Sequence, residues 1–87
     1  MPESISLEFY LAGEPEVRRQ LEADLREALE EAGFHAKITV IDVLNMPEKA
    51  LENDVFATPT LRRILPAPVK KVIANAARMQ AAVLLVA

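Results

Sequence analysis

The sequence predicts a single α/β domain, covering residues 1–87, whose elements follow the order β-α-β-(α)-β-β-α. Three observations predict it. Apolar and polar residues alternate near the start of the chain, a stretch with helical periodicity follows, and a run rich in β-branched residues comes next. A length of 87 residues is enough for one domain and no more.

The first half of the chain predicts a βαβ unit. Residues 5–11 alternate between apolar and polar side chains, which indicates a strand with one apolar face. Pro15 suits the first turn of a helix and Gly33 suits its end, so we expect a helix over 15–32. Residues 36–44 are apolar on both faces after their first positions. That pattern favours a parallel strand, reached by a right-handed crossover.

The second half begins with a short helix and a third strand. Pro47 opens a predicted helix over 47–53, and residues 55–61 are expected to be extended. Pro59 cannot donate to a ladder, so it belongs at the beginning of that strand. A βαβ half followed by a ββα half, with Thr-Pro entering the third strand, is the thioredoxin-like layout.

The last third predicts a turn, a strand and one segment of undecided type. Residues 65–68 (Leu-Pro-Ala-Pro) indicate a stiff turn, and 69–74 a fourth strand. Residues 75–87 are rich in good helix formers. Because Val83 and Val86 also suit a strand, the composition leaves helix and strand both open there.

Composition excludes several function classes. The chain has no cysteine, which excludes a disulfide scaffold and thiol chemistry, and its single histidine argues against a zinc site. A net charge of -3 argues against nucleic-acid binding, and no apolar run is long enough for a membrane span. Phosphate-binding loops and nucleophile elbows are also missing, so we expect no enzyme activity and no cofactor. The acidic start, Met1 to Ser4, has no apolar signal core, which predicts a cytoplasmic protein.

Four motifs in the chain resemble one known family. They are Leu-Ala-Gly, Val-Ile-Asp-Val, Ala-Thr-Pro-Thr-Leu and Leu-Pro-Ala-Pro-Val-Lys-Lys-Val-Ile, at residues 11–13, 40–43, 57–61 and 65–73. These are similar to the motifs of the KaiB circadian-clock family, which occur in the same order and at nearly the same spacing. A clock-linked sensor histidine kinase opens with a similar thioredoxin-like element, but it usually has alanine where this chain has Thr60.

The resemblance implies a protein-binding regulator without catalytic activity. KaiB proteins in their thioredoxin-like form bind the ring made by the ATPase lobe of KaiC, a RecA-like hexameric ATPase, and so regulate its phosphorylation and ATPase cycle. Many also adopt a resting fold in which the C-terminal half is rebuilt and the chain self-associates as a dimer or tetramer. No nucleic acid, membrane, metal or cofactor is implied.

Five basic residues are candidates for the partner surface. Arg19 aligns with an arginine of the family's first helix, and Lys70 and Lys71 align with its Arg-Arg pair. Arg62 and Arg63 add to the same predicted surface on an otherwise acidic chain; the alternative is a solvated face without a partner. Asp54 reverses the charge of a lysine that cyanobacterial members use in partner binding.

Three prolines are candidates for a role in fold exchange. We expect the Thr58–Pro59 bond to be cis, because this position is usually cis in thioredoxin-like folds. Pro66 and Pro68 either stiffen a loop or form a hinge for refolding of residues 66–87.

The chain also departs from the family pattern near its C-terminal end. Ala74, Leu85 and Ala87 stand where the family often has glycine or aspartate. Because these residues favour helix, we expect them to bias the chain toward the thioredoxin-like form.

The remaining polar candidates have structural interpretations. Tyr10 is expected to pack against the short helix, Asp42 to hold a loop, and His35 to be exposed. Two other functions stay open: a redox-inactive thioredoxin-like adaptor for another signalling or stress protein, and an oligomeric structural protein that associates through residues 81–87.

Overall fold

The computed structural model describes residues 4–87, which form four strands and three α-helices. The strands are β1 (Ile5–Leu11), β2 (Ala36–Asp42), β3 (Thr60–Leu65) and β4 (Lys70–Ile73). The helices are α1 (Pro15–Glu31), α2 (Pro47–Glu52) and α3 (Met79–Val86), and a 3-10 turn (Ala76–Arg78) leads into α3. None of the helices in this part of the chain is long and apolar enough to cross a membrane.

One mixed sheet organises the domain, in the order β2-β1-β3-β4. Strand β2 runs parallel to β1, with Phe9 opposite Val40, which confirms the predicted βαβ unit. Strand β3 is antiparallel to β1, and β4 is antiparallel to β3. Strands β2 and β4 are therefore the two edges of the sheet.

The sheet has one helix pair on one face and a single short helix on the other. The larger core joins side chains of β1 and β3 to α1 and α3, and Phe9, Leu25 and Val83 in it are fully buried. Burying a side chain of this kind contributes about 1.5–3 kcal/mol. The smaller cluster lies under α2, where Tyr10 and Ile41 contact Ala50.

The third strand begins directly after Pro59, as the sequence predicts. The extended segment expected over 55–61 is instead a loop over residues 55–59, followed by a strand at Thr60–Leu65. Asp54 turns the chain at a positive φ of 55°, and the Val55 N–H returns to the Ala50 carbonyl. Because Pro59 has no N–H to donate, the ladder with β1 starts at the residue that follows it.

Strand β2 is parallel, as predicted, but it lies at an edge, and it ends at Asp42 instead of residue 44. Its apolar residues are consequently less buried than a run that is apolar on both faces suggests, and Val40 is 37% exposed. The predicted crossover through α1 was enough to predict that β2 is parallel to β1. The apolar pattern of β2 could not show whether the strand lies at an edge or in the interior of the sheet.

The C-terminal segment is helical, so the strand alternative for residues 75–87 is wrong in this structure. Only Leu85 of the three proposed helix-biasing residues lies inside a helix. Ala74 follows β4 in an extended loop, is 4% exposed and packs in the main core, and Ala87 is the C-cap of α3. The helix-propensity argument therefore does not apply at Ala74 or Ala87.

Candidate partner-binding surface

The five predicted basic residues do not form one surface. Arg62 pairs in register with Lys71, and Arg63 with Lys70, on neighbouring strands. Because successive side chains of a strand point to opposite faces, the first pair lies on the α2 face and the second on the face of α1 and α3. Arg19 is exposed on α1, apart from both pairs.

Arg63 is a buried residue, so its predicted role in a contact surface is wrong. The residue is only 6% exposed. Its guanidinium donates to the Pro68 carbonyl at 2.8 Å and approaches the Ala87 carbonyl at 3.5 Å. Within residues 4–87 its Nε has no acceptor. Arg63 thus joins the turn after β3 to the end of α3.

Arg62 is held by Glu8 at the centre of the α2 face. Its Nη1 lies 2.7 Å from Glu8 Oε1, and the Lys49 ammonium lies 3.7 Å from Oε2. Burial by itself raises the pKa of the Glu8 carboxyl. Hydrogen bonds from Tyr10 and Arg62, with the charges of Arg62 and Lys49, outweigh that effect and hold the pKa below its usual value.

Tyr10 links this carboxylate to the end of α2. Its hydroxyl donates to Glu8 at 2.7 Å and accepts from the Asn53 side-chain amide at 2.8 Å. Burial raises the pKa of Tyr10, and the hydrogen bond and negative charge of Glu8 raise it further, to about 12. The ring packs with Ala50 of α2, which confirms the predicted packing against the short helix.

Lys71 forms hydrogen bonds to the loop that follows α2. Its ammonium donates to the backbone carbonyls of Asn53 and Asp54. The same ammonium lies 6.0 Å from the centre of the Phe56 ring. Lys71 therefore positions the loop. Lys70, Lys71 and Arg19 are all exposed and form no ion pair within the described residues, but only Lys71 of the three is engaged by these carbonyls.

An exposed apolar surface lies beside Lys71 and was missed by the sequence analysis. Phe56 is 85% exposed and Ile73 is 68% exposed, and both line a groove of about 260 Å³. The other lining residues come from the same loop and from β3 and β4: Asp54, Val55, Ala57, Thr60 and Lys71. An aromatic residue next to the Thr-Pro loop was the available signal, but it was assigned to a strand.

The other predicted residues lie next to loops. Asp42 accepts hydrogen bonds from the Leu44 N–H and the Asn45 side chain, and it pairs with Arg18 of α1 at 3.3 Å. This confirms its role in holding the β2–α2 loop. His35 is exposed after α1, as expected.

The three candidate prolines all follow cis peptide bonds. These bonds are Thr58–Pro59, Leu65–Pro66 and Ala67–Pro68. Pro66 and Pro68 are exposed in the turn between β3 and β4. A hinge at that turn stays a prediction.

The chemistry of these groups suits binding. The sequence has no cysteine, and the described residues contain no cluster of side chains able to hold a metal ion. The Glu8 carboxylate already accepts hydrogen bonds from Tyr10 and Arg62 and pairs with the charge of Lys49, so its role is structural. On this face of the sheet, an apolar groove with a basic edge strand beside it is accessible.

A family model and individual relatives both match the KaiB family. The model of the KaiB domain matches residues 8–86. Proteins named circadian clock oscillator protein KaiB from Prochlorococcus marinus (strain MIT 9312) and Trichodesmium erythraeum (strain IMS101) are each 46% identical over 72 residues. Those alignments cover 79% of this chain and 67% of each relative, so the chain spans about two thirds of their length.

A solved structure shares the fold. The solution structure of the N-terminal domain of Synechococcus elongatus SasA, a thioredoxin-like domain, superposes with a TM-score of 0.74. It covers 98% of this chain and 82% of that domain at 19% sequence identity. At this identity the likeness concerns the fold alone.

Proposed function

Because the chain belongs to the KaiB family of clock regulators, we propose that it binds the ATPase-lobe ring of a KaiC-type hexameric ATPase and regulates its phosphorylation and ATPase cycle. We propose that the chain acts without catalysis; the lack of cysteine excludes the thiol chemistry of catalytic thioredoxin-like proteins. We propose a cytoplasmic location, where such an ATPase works.

The observation that carries this proposal is the thioredoxin-like form of a KaiB-family chain. In that form the α2–β3 loop presents Phe56 at 85% exposure, with Ile73 beside it. Phenylalanine is among the residues enriched in protein interfaces relative to the rest of the surface. Lys70, exposed on the same edge strand, adds a positive charge on the opposite face of the sheet.

Native mass spectrometry tests the proposal directly. The purified chain is incubated overnight with the host's KaiC-type ATPase and ATP. We expect the hexamer to be loaded with stoichiometric copies of the chain. If no complex forms, the proposal is wrong, and the redox-inactive adaptor for another signalling or stress protein becomes the better description.

Self-association is a second part of the proposal. Leu84 and Leu85 on α3 are 68% and 65% exposed, within the 81–87 segment that the sequence indicates as an interface. We propose that the free chain forms a dimer or tetramer through this segment. In a concentration series by solution scattering, Leu84→Glu is expected to reduce the mean mass; an unchanged monomer mass for both proteins contradicts it.

A further inference from the structure

Strand β4 lies at an edge of the sheet, and the register shows which of its N–H and C=O groups bond to β3 and which point away from the sheet. The Ala74 N–H donates to the Pro59 carbonyl at 2.9 Å, which continues the ladder between β4 and β3. Hydrogen-bonded and open pairs alternate along an antiparallel ladder. Val72 therefore bonds to β3, while Lys71 and Ile73 turn their N–H and C=O groups away from the sheet.

The groove described above lies along the same stretch. The side chains of Lys71 and Ile73 share the α2 face with Thr60 and Arg62, and the groove lies between Ile73 and Phe56. A strand added at this edge would bond to the open backbone groups of Lys71 and Ile73. Alternate side chains of that strand would point into the groove, which is the geometry of β-strand addition.

The charges at this edge favour an acidic partner over a second copy of β4. Lys70 and Lys71 are consecutive and exposed, and Asp54 is the one carboxylate that lines the groove within residues 4–87. A second copy of β4 would add two more lysines to this edge and would supply no carboxylate, and like charges close together destabilise a strand pair. A segment with carboxylates would pair with the two lysines, and an apolar side chain of that segment would fill the groove.

We propose that the free edge of β4 accepts an acidic, strand-forming segment of the partner as an additional strand of the sheet, with an apolar side chain between Phe56 and Ile73. This inference rests on the proposed function, because it describes how the partner ATPase is held. It assigns the open N–H and C=O groups of Lys71 and Ile73 as the recognition elements.

The first experiment uses a peptide and does not depend on the ATPase. The probe is a blocked octapeptide that alternates glutamate and valine, titrated into the isotope-labelled full chain and followed by NMR. We expect saturable shifts at Phe56, Lys71 and Ile73, and slower amide exchange at Lys71 and Ile73. A peptide with lysine in place of glutamate should produce neither effect.

Matched variants identify the edge. Lys70→Glu is expected to weaken peptide binding at least tenfold, whereas Lys37→Glu, the same change on the opposite edge strand, leaves it unchanged. Asp54→Asn should strengthen binding several-fold. The inference is overturned if the lysine peptide binds equally well, if the shifts lie on β2, or if no saturable shift occurs.

A second experiment separates this inference from the proposed function. Hydrogen exchange of the chain is measured free and in its complex with the KaiC-type ATPase. New protection at the Lys71 and Ile73 amides supports strand addition. A complex that forms without such protection overturns strand addition and leaves the proposed function intact. Absence of a complex overturns the proposed function, and the peptide experiment then decides whether the edge of β4 accepts an acidic strand.

Discussion

The hydroxyl of Tyr10 donates a hydrogen bond to the carboxylate of Glu8, two residues earlier on the same central strand, at 2.7 Å. The two side chains lie side by side on the α2 face, where Arg62 and Lys49 approach the carboxylate and Asn53 approaches the hydroxyl. This small network ties β1, β3 and α2 together. It also makes both groups titrate away from their ordinary ranges.

The alkaline titration of the chain should reveal this contact. Tyr10 is the only tyrosine, so tyrosinate absorbance reports on it alone. We expect its midpoint well above 10.0, at about 12, in the folded protein. Since the pKa is raised on folding, its contribution to stability is complete below pH 10 and is lost as the pH rises through about 12. A midpoint at the ordinary value of 10.0 would contradict the hydrogen bond.

Replacing the carboxylate should destabilise the α2 face. Glu8→Gln leaves the Arg62 guanidinium with a weaker, neutral acceptor, and we expect the free energy of unfolding at neutral pH to fall by about 1–3 kcal/mol. The pKa of Glu8 is lowered on folding, so its contribution is present above pH 4.5 and is lost on acidification below that. Urea titrations of wild type and variant should therefore converge at low pH.

The control for this prediction is Glu30→Gln, at an exposed position of α1. Its unfolding free energy should stay within about 0.5 kcal/mol of wild type at every pH. If both variants behave alike, the Glu8 network does not contribute to stability.

The buried guanidinium of Arg63 predicts a difference between two substitutions. Arg63→Met keeps the packing volume and removes a buried charge whose Nε has no acceptor, so we expect stability within about 1 kcal/mol of wild type. Arg63→Ala also removes the packing between β3 and α3, and should cost about 2–3 kcal/mol with faster amide exchange in α3. Equal losses for both variants would show that the charge itself holds α3.

The exposed aromatic of the α2–β3 loop should matter for binding and not for folding. Phe56→Ala is expected to weaken binding to the KaiC-type ATPase by more than tenfold, since a truncated anchor residue costs about 2 kcal/mol or more at an interface. Its thermal stability should remain that of wild type, because the ring is 85% exposed. Val17→Ala, at a half-exposed position of α1, serves as the matched control and should bind normally.

The local patterns of the sequence predicted most elements, because each depends on neighbouring residues. The alternation of 5–11, Pro15 and Gly33 around α1, and the turn at 65–68 all correspond to the structure. The order of these elements, with Thr-Pro before the third strand, indicated the thioredoxin-like arrangement, and the family resemblance agreed with it. Residues 55–57 have the composition of a strand and were expected to be extended, but they lie in the loop between Asp54, which has a positive φ, and Pro59.

The surface was less predictable than the fold, because exposure depends on partners that are distant in sequence. Arg62 and Arg63 look equivalent as neighbouring basic residues. Arg62 pairs on the α2 face with Glu8, which is 54 residues away in the sequence. Arg63 points to the opposite face and is covered by the end of α3. Lys71 resembles Lys70 in the sequence, yet its ammonium is engaged by the carbonyls of Asn53 and Asp54.

The period of two along β3 also governs which changes in chain length the protein can tolerate. One residue inserted between Thr60 and Arg62 would exchange the faces of all the side chains that follow it, so that Arg62 would enter the apolar core and Arg63 would leave the end of α3. Residues 55–58 pair with no strand and can absorb the same insertion. Homologues of different length should therefore gain or lose residues before Thr60, and keep the spacing from Thr60 to Leu65 unchanged.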